Sequence, residues 1–261
     1  MAHGGGQRHV TAATIFWPAV LALLGAILGS FIATLVIRWP AGRSVLRGRS
    51  HCDSCDAALT ARDLVPLLSA ALSRGRCRTC GAAIDARHWQ IELAALWIGA
   101  AAGLAIGGPV ALAGALFGWL LLALAALDIT DLWLPDRLTG TLALAGLATG
   151  LLGIAPAPID RLIGGAAGFA SLWAIGAAYK ALRGREGLGA GDPKLLGAIG
   201  LWLGWAMLPA VLLLAALTGL AVVLAGMIRG RAARLDDKVP FGALLAIAAY
   251  PAWLFLLGFA R

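Results

Sequence analysis

Between residues 12 and 259 the chain is a series of apolar runs, several long enough to cross a bilayer, parted by short polar connectors. About 20 consecutive apolar residues span the hydrocarbon core as a helix, because lipid offers the backbone no partner outside its own segment. A soluble domain of 261 residues does not need 61% hydrophobic sequence with only 13% charged residues, so the chain reads as a polytopic membrane protein. Its 35 glycines suit helices that meet closely in lipid. The run after Thr11 is too long for the apolar core of a cleavable signal peptide and passes straight into a basic stretch, so none is expected.

Eight runs can be drawn, at 12–37, 91–106, 110–127, 138–154, 162–182, 195–205, 207–228 and 241–259, the sixth being short. Only Gly107-Gly108-Pro109 parts the second from the third, which predicts a helical hairpin, and Ala155-Pro156-Ala157-Pro158 parts the fourth from the fifth. The fold class expected is all-α, with about eight transmembrane helices and a small polar loop domain. Cytoplasmic loops concentrate Lys and Arg. With eight spans, the segments 38–90, 128–137, 180–194 and 229–238 share one side and hold 18 of the 21 Lys and Arg residues. The other side keeps Arg8, Arg161 and Arg261. This asymmetry predicts that those four segments are cytoplasmic and that both termini are not. It also accounts for the net charge of +8 as a topology signal and a grip on anionic lipid. The lipid bilayer is an expected partner and nucleic acid is not.

Carboxylates are rare in such a chain, and one at membrane depth marks a functional-site candidate. Asp192 closes Gly189-Ala190-Gly191-Asp192 and precedes Pro193 and Lys194, on a backbone that its glycines make pliable. A helix N-cap is the plain alternative for that stretch. The best partner is Asp128, 64 residues upstream at the end of another apolar run. Asp131 and Asp136 rival Asp128, the first as a solvated turn charge and the second as an N-cap after Pro135. Lys194 reads as a positive-inside anchor or as a residue that tunes the dyad. Glu92 reads as an interfacial charge near Arg87, and Trp17, Trp39, Trp89 and Trp133 as interfacial aromatics.

Cys52-x-x-Cys55 is followed after 21 residues by Cys77-x-x-Cys80, and these are the only four cysteines. Two such pairs in turn-forming sequence supply four thiolates, which suit a tetrahedral structural zinc. Two disulfides or a redox pair are the alternatives, but a cytoplasmic loop is reducing. A metal would fold a module that has too little apolar core to stand alone. The domains expected are residues 1–37, a first transmembrane helix; 38–90, the zinc-binding loop; and 91–261, the remaining membrane domain.

Taken in order, these elements resemble one family, the bacterial prepilin peptidases, which are bifunctional with an N-methyltransferase. Gly29-Ser30-Phe31 leading to Ile37-Arg38-Trp39-Pro40 resembles the family's N-terminal signature, and Gly48-Arg49-Ser50-His51-Cys52 the opening of its cysteine domain. Asp63-Leu64-Val65-Pro66-Leu67-Leu68-Ser69 and Arg74-Gly75-Arg76-Cys77 continue it. Asp128 with Leu134-Pro135-Asp136-Arg137-Leu138-Thr139 is similar to the first aspartate motif, and Gly189 to Asp192 with Lys194 to the second, a GxGD motif. Glu92 matches a glutamate common in the family. The chain departs from the pattern at Ala33, where asparagine is usual, at Asp56, where glycine is usual, and at Ala243, where proline is common after Phe241-Gly242.

The resemblance implies a multi-pass enzyme of the bacterial inner membrane, with Asp128 and Asp192 as catalytic carboxylates at the cytoplasmic face. Its substrates would be type IV prepilins or type II secretion pseudopilins, cut just after a glycine. It then implies N-methylation of the new N-terminus with S-adenosylmethionine. Peptide hydrolysis by paired carboxylates needs one that takes a proton from water and one that donates to the carbonyl. Two close carboxylates cannot both ionise cheaply, so they share one proton. A transporter relaying protons through intramembrane carboxylates is the alternative. It predicts polar residues spread along the spans and often an internal repeat, and neither is visible. A non-catalytic zinc-bearing scaffold would leave the pairing of Asp128 with Asp192 unexplained.

Overall fold

The computed structural model describes residues 12–45, 50–230 and 239–258. The polar lead at 1–10 and the Gly48-Arg49 part of the cysteine-domain opening lie outside the described residues. So do Arg8, Arg47, Arg49, Arg231, Arg234, Lys238 and Arg261, all counted in the charge asymmetry.

Each of the eight apolar runs is a helix. In chain order the helices are α1 (Ala12–Arg38), a short α2 (Leu68–Leu72), α3 (Arg87–Ala105), α4 (Val110–Asp131), α5 (Asp136–Leu151), α6 (Pro158–Arg183), α7 (Asp192–Leu203), α8 (Leu208–Ile228) and α9 (Phe241–Gly258). Five segments are long and apolar enough to cross a membrane: Ile15–Arg38, Val110–Asp131, Pro158–Arg183, Trp205–Ile228 and Phe241–Gly258. The other three fall short for separate reasons. α3 opens on Arg87, His88, Gln90 and Glu92, which dilute its apolar stretch. α5 has 16 residues. α7 has 12 residues, about 18 Å of helix against a hydrocarbon core of about 30 Å.

Small residues set the packing. On α1, Gly25 and Gly29 stand one turn apart and face α3, where Gly99 and Gly103 repeat the spacing. A Cβ on Gly99 would lie 2.0 Å from the Leu21 carbonyl oxygen, and one on Gly25 would lie 2.2 Å from that of Ala95. Only glycine admits that approach, which van der Waals contact then rewards in lipid. The same device joins α6 to α7, where a Cβ on Gly200 would lie 2.2 Å from the Gly164 carbonyl oxygen. Ten of the twelve residues of α7 are buried, so it is an interior strut held by α5, α6 and α9. Phe117 of α4 stacks on Trp202 of α7 with ring centroids 4.7 Å apart, fixing the centre of the bundle.

At the end of the bundle away from the cysteines, Arg161 is 1% exposed. Its guanidinium donates to the carbonyls of Pro156, Ile154, Ala155, Gly146 and Leu201 at 2.8–3.0 Å, and to Thr149 Oγ1 at 3.2 Å. The arginine counted on the side opposite the cysteine loop is therefore a buried clamp that collects the chain ends of α5, α6 and α7. A buried charge is tolerated when its donors are all engaged in this way.

Candidate active site

Asp128 and Asp192 reach one point from two helices. Asp128 sits within the last turn of α4, which runs on to Asp131 before Leu132 turns left-handed at φ 50° and ends it. The helix thus continues past the expected end of the run at 127, so Asp128 is a helical residue and not the edge of a loop. Asp192 opens α7. Both are 5% exposed. The Ala243 N–H donates to Asp128 Oδ2 at 2.7 Å, and the Gly189 N–H donates to Asp192 Oδ2 at 3.1 Å. Asp192 therefore turns back toward its glycine loop, and no side-chain bond caps α7.

Gly242, at the start of α9, lies between the two carboxylates. A Cβ there would stand 3.1 Å from Asp128 Oδ2, 3.2 Å from Asp192 Oδ1 and 2.7 Å from Leu134 Cδ1. A small space between the carboxyl groups exists only because this residue has no side chain. Gly191 is similarly pressed, since its Cβ would lie 2.7 Å from Leu134 Cβ. Leu134 thus floors the site beneath two glycines. Gly242 and Ala243 were not among the expected site residues. The one signal was Ala243 standing where the resemblance has proline, because a proline there would leave Asp128 without this donor.

The rivals lie elsewhere. Asp131 is exposed and accepts from Thr130 Oγ1 at 2.6 Å. Asp136 is exposed and pairs with Lys194 Nζ at 2.7 Å. That pair ties the start of α5 to the start of α7, so the partner of Lys194 is Asp136 and not the dyad. Trp39 meets Trp133 edge-on at 5.3 Å, and the two line an open cleft of about 440 Å³ with Leu134, Pro135, Asp136 and Arg137.

The four cysteines come together at the same end of the bundle. Their sulfurs all lie within 4.8 Å of one another, and Cys52 Sγ is 4.0 Å from Cys80 Sγ. Ligands about 2.3 Å from a tetrahedral zinc stand about 3.8 Å apart, so the cluster suits that ion, whereas a disulfide needs about 2.05 Å. The two knuckles superpose in pattern. Asp56 and Gly81 donate to the Cys52 and Cys77 carbonyls, and Cys52 and Cys77 donate to Ala57 and Ala82. Asp56 has φ 56° and Gly81 φ 72°, so the aspartate that stands for a usual glycine fills a left-handed position, which Asp tolerates better than most residues. The N–H groups of Cys80 and Thr79 bring the Cys77 thiol down to about 6, toward the thiolate that a metal requires.

Salt links fix this module to the membrane helices. Arg38, at the end of α1, donates to the His51 carbonyl at 3.2 Å and lies 3.5 Å from Asp53, between the first two cysteines. Glu92 is 6% exposed and accepts from the Leu67 N–H at 2.8 Å. Arg87 pairs instead with Asp85 at 2.6 Å, so Glu92 is not the interfacial partner of Arg87 that its position suggested.

A family model described as the Bacterial Peptidase A24 N-terminal domain matches residues 23–106, and one described as the Type IV leader peptidase family matches residues 115–224. A relative from Burkholderia pseudomallei named prepilin leader peptidase/N-methyltransferase is 42% identical over 86% of this chain and 81% of its own. Relatives of the same name from Aeromonas hydrophila and Dickeya chrysanthemi are 43% identical over 80% of this chain and 71% of their own, and 39% identical over 89% and 90%. No solved structure matches the chain.

Proposed function

The chain belongs to the type IV leader peptidase family, and from that premise we propose that it removes the leader from prepilins or pseudopilins with Asp128 and Asp192 and then N-methylates the new terminus. The single observation that carries the dyad is the approach of both buried carboxylates to one point beside Gly242. Asp128 Oδ2 and Asp192 Oδ2 are each engaged by a backbone N–H, which fixes the two groups without using all their oxygens. A water held between them loses a proton to one carboxylate as it attacks the scissile carbonyl. The other, protonated, donates to that carbonyl oxygen, and the roles reverse as the amine leaves. Above Leu134 the glycines leave the backbone bare, room against which an extended substrate strand can lie. The cleft bounded by Trp39 and Trp133 is the approach from the membrane surface.

Eight spans with the cysteine module and dyad in the cytoplasm remain our topology for an inner-membrane protein. On it, 38–90 is the metal-bearing loop between a first helix and the membrane domain 91–261. The grouping of Asp128, Asp192 and Gly242 with the module at one end of the bundle supports it. α3, α5 and α7 would cross in the shelter of their neighbours. Zinc held by Cys52, Cys55, Cys77 and Cys80 would supply folding energy to the module and no catalysis. The methyl donor in this reading is S-adenosylmethionine.

Reconstituted protein incubated with a prepilin and S-adenosylmethionine, followed by mass spectrometry of the pilin N-terminus, tests the reading. Loss of the leader together with gain of one methyl group is expected. An intact leader would overturn the peptidase assignment, and a cleaved but unmethylated terminus would overturn the second activity.

A further inference from the structure

Cleavage leaves unused a large cavity and one buried carboxylate. A cavity of about 1030 Å³ opens between the cysteine module, the last turns of α1 and the first turns of α3. Thr34 and Arg38 line it from α1, Asp63 and Ser69 from the module, and His88 and Glu92 from α3. Ligand pockets for small molecules run to about 1,000 Å³ with a few converging polar groups, and this one is of that kind.

Glu92 is the group in it that asks for a ligand. The residue is 6% exposed, and among the described residues its hydrogen-bond donor is the Leu67 N–H alone. Among the described residues, no cationic nitrogen comes within the 4.0 Å of an ion pair. The nearby arginines are committed elsewhere: Arg38 and Arg43 to Asp53, Arg78 to Asp63, and Arg87 to Asp85. One Glu92 oxygen takes the Leu67 N–H and the other opens onto the cavity, where His88, one turn earlier on α3, is its nearest titratable neighbour, so the carboxylate offers a free acceptor to a cationic ligand. Leu67 holds φ 60° to deliver its N–H, so the module itself is bent to keep Glu92 in position.

We propose that this cavity binds the methyl donor, with Glu92 as the counter-ion of its cationic sulfonium; the proposal rests on the N-methyltransferase reading above. The two sites adjoin at the end of α1: Arg38 lines this cavity, while Trp39 next to it meets Trp133 in the cleft that Leu134 shares with the dyad. The freed amine's lone pair takes the methyl carbon, the C–S bond breaks with its electrons left on sulfur, and the new ammonium gives a proton to water. Transfer removes the sulfonium charge and with it the ion pair to Glu92, so the neutral thioether product binds less well than the donor.

Equilibrium dialysis on the full chain in lipid nanodiscs tests this without turnover. Labelled S-adenosylmethionine and S-adenosylhomocysteine, which lacks the sulfonium charge, are the probes. Wild type is expected to prefer the charged donor, and Glu92→Gln to bind it about tenfold or more weakly while holding the neutral thioether much as before. Glutamine can still accept from the Leu67 N–H, so only the charge is lost. Thr34→Phe, which fills the cavity, is expected to exclude both probes, and melting temperatures near that of wild type establish that both variants fold. Unaltered donor binding in both variants, with wild type methylating pilin, overturns this site alone, as does a loss confined to the pilin terminus. Wild type that cleaves prepilin yet retains no donor overturns the site and the methyltransferase reading together.

Discussion

A methyl group on Gly242 would stand 3.1 Å from Asp128 Oδ2 and 3.2 Å from Asp192 Oδ1, with Leu134 Cδ1 only 2.7 Å away on another side. Gly242→Ala is therefore expected to push the carboxylates off their shared point and to lower leader cleavage by about a hundredfold, the cost of roughly 1 Å of misplacement. Cleavage by purified Gly242→Ala within a few-fold of wild type would mean that the space beside this glycine is not where the chemistry occurs. In the module, the hydroxyl and N–H of Thr60 and then the Arg78 guanidinium hold the Asp63 carboxyl below its ordinary value. A depressed folded value stabilises fully above the unfolded value of about 3.9 and is lost as pH falls through the depressed one. Asp63→Asn should thus loosen the module at neutral pH and blunt its loss of protection on acidification, read by hydrogen exchange over residues 50–86. Asp128, Asp192 and the cysteines were legible because charges and thiols are conspicuous in apolar sequence. The Ala243 N–H was not, since a backbone donor carries no letter of its own, and Gly242 was one glycine among 35.

Between elements the same contrast holds. The apolar runs announced the helices within a few residues, yet α4 continued past the carboxylate taken as its limit, because Thr130 and Asp131 close a last turn that polarity had suggested was loop. Glycine content foretold close packing but not the partners, since only tertiary structure sets Gly25 against Ala95 or Gly164 against Gly200. Arg161 was counted only for its side of the membrane, and its burial was not legible because it depends on carbonyls brought from residues as distant as Leu201. Lysine offers three donors from one point where arginine offers a planar fork. Arg161→Lys is expected to leave several of those carbonyls unpaired and cost about 3 kcal/mol or more. The expected readout is a lower thermal midpoint in detergent together with slower, incomplete insertion. An unchanged midpoint would mean that the clamp carries no stability.

For the whole molecule, the bundle gathers at one end what the chain scatters: the cysteine module on α1 and α3, Asp128 on α4, Asp192 on α7 and Gly242 on α9. Antiparallel helices make this gathering unavoidable, because every second connector returns to the same end of the bundle, and the Lys and Arg distribution had grouped the same connectors. Less legible was that α7, with 12 residues, works as an interior strut that carries Asp192 into the bundle. The central claim is that these two aspartates, and no neighbouring carboxylate, cut the leader. Leader cleavage by purified Asp128→Asn, Asp192→Asn, the double variant and Asp136→Asn in lipid tests it most directly. Either single substitution should abolish cleavage, the double should be no worse because the pair acts as a unit, and Asp136→Asn should retain activity. Wild-type rates from Asp128→Asn or Asp192→Asn, or a loss that tracks Asp136 instead, would contradict the account.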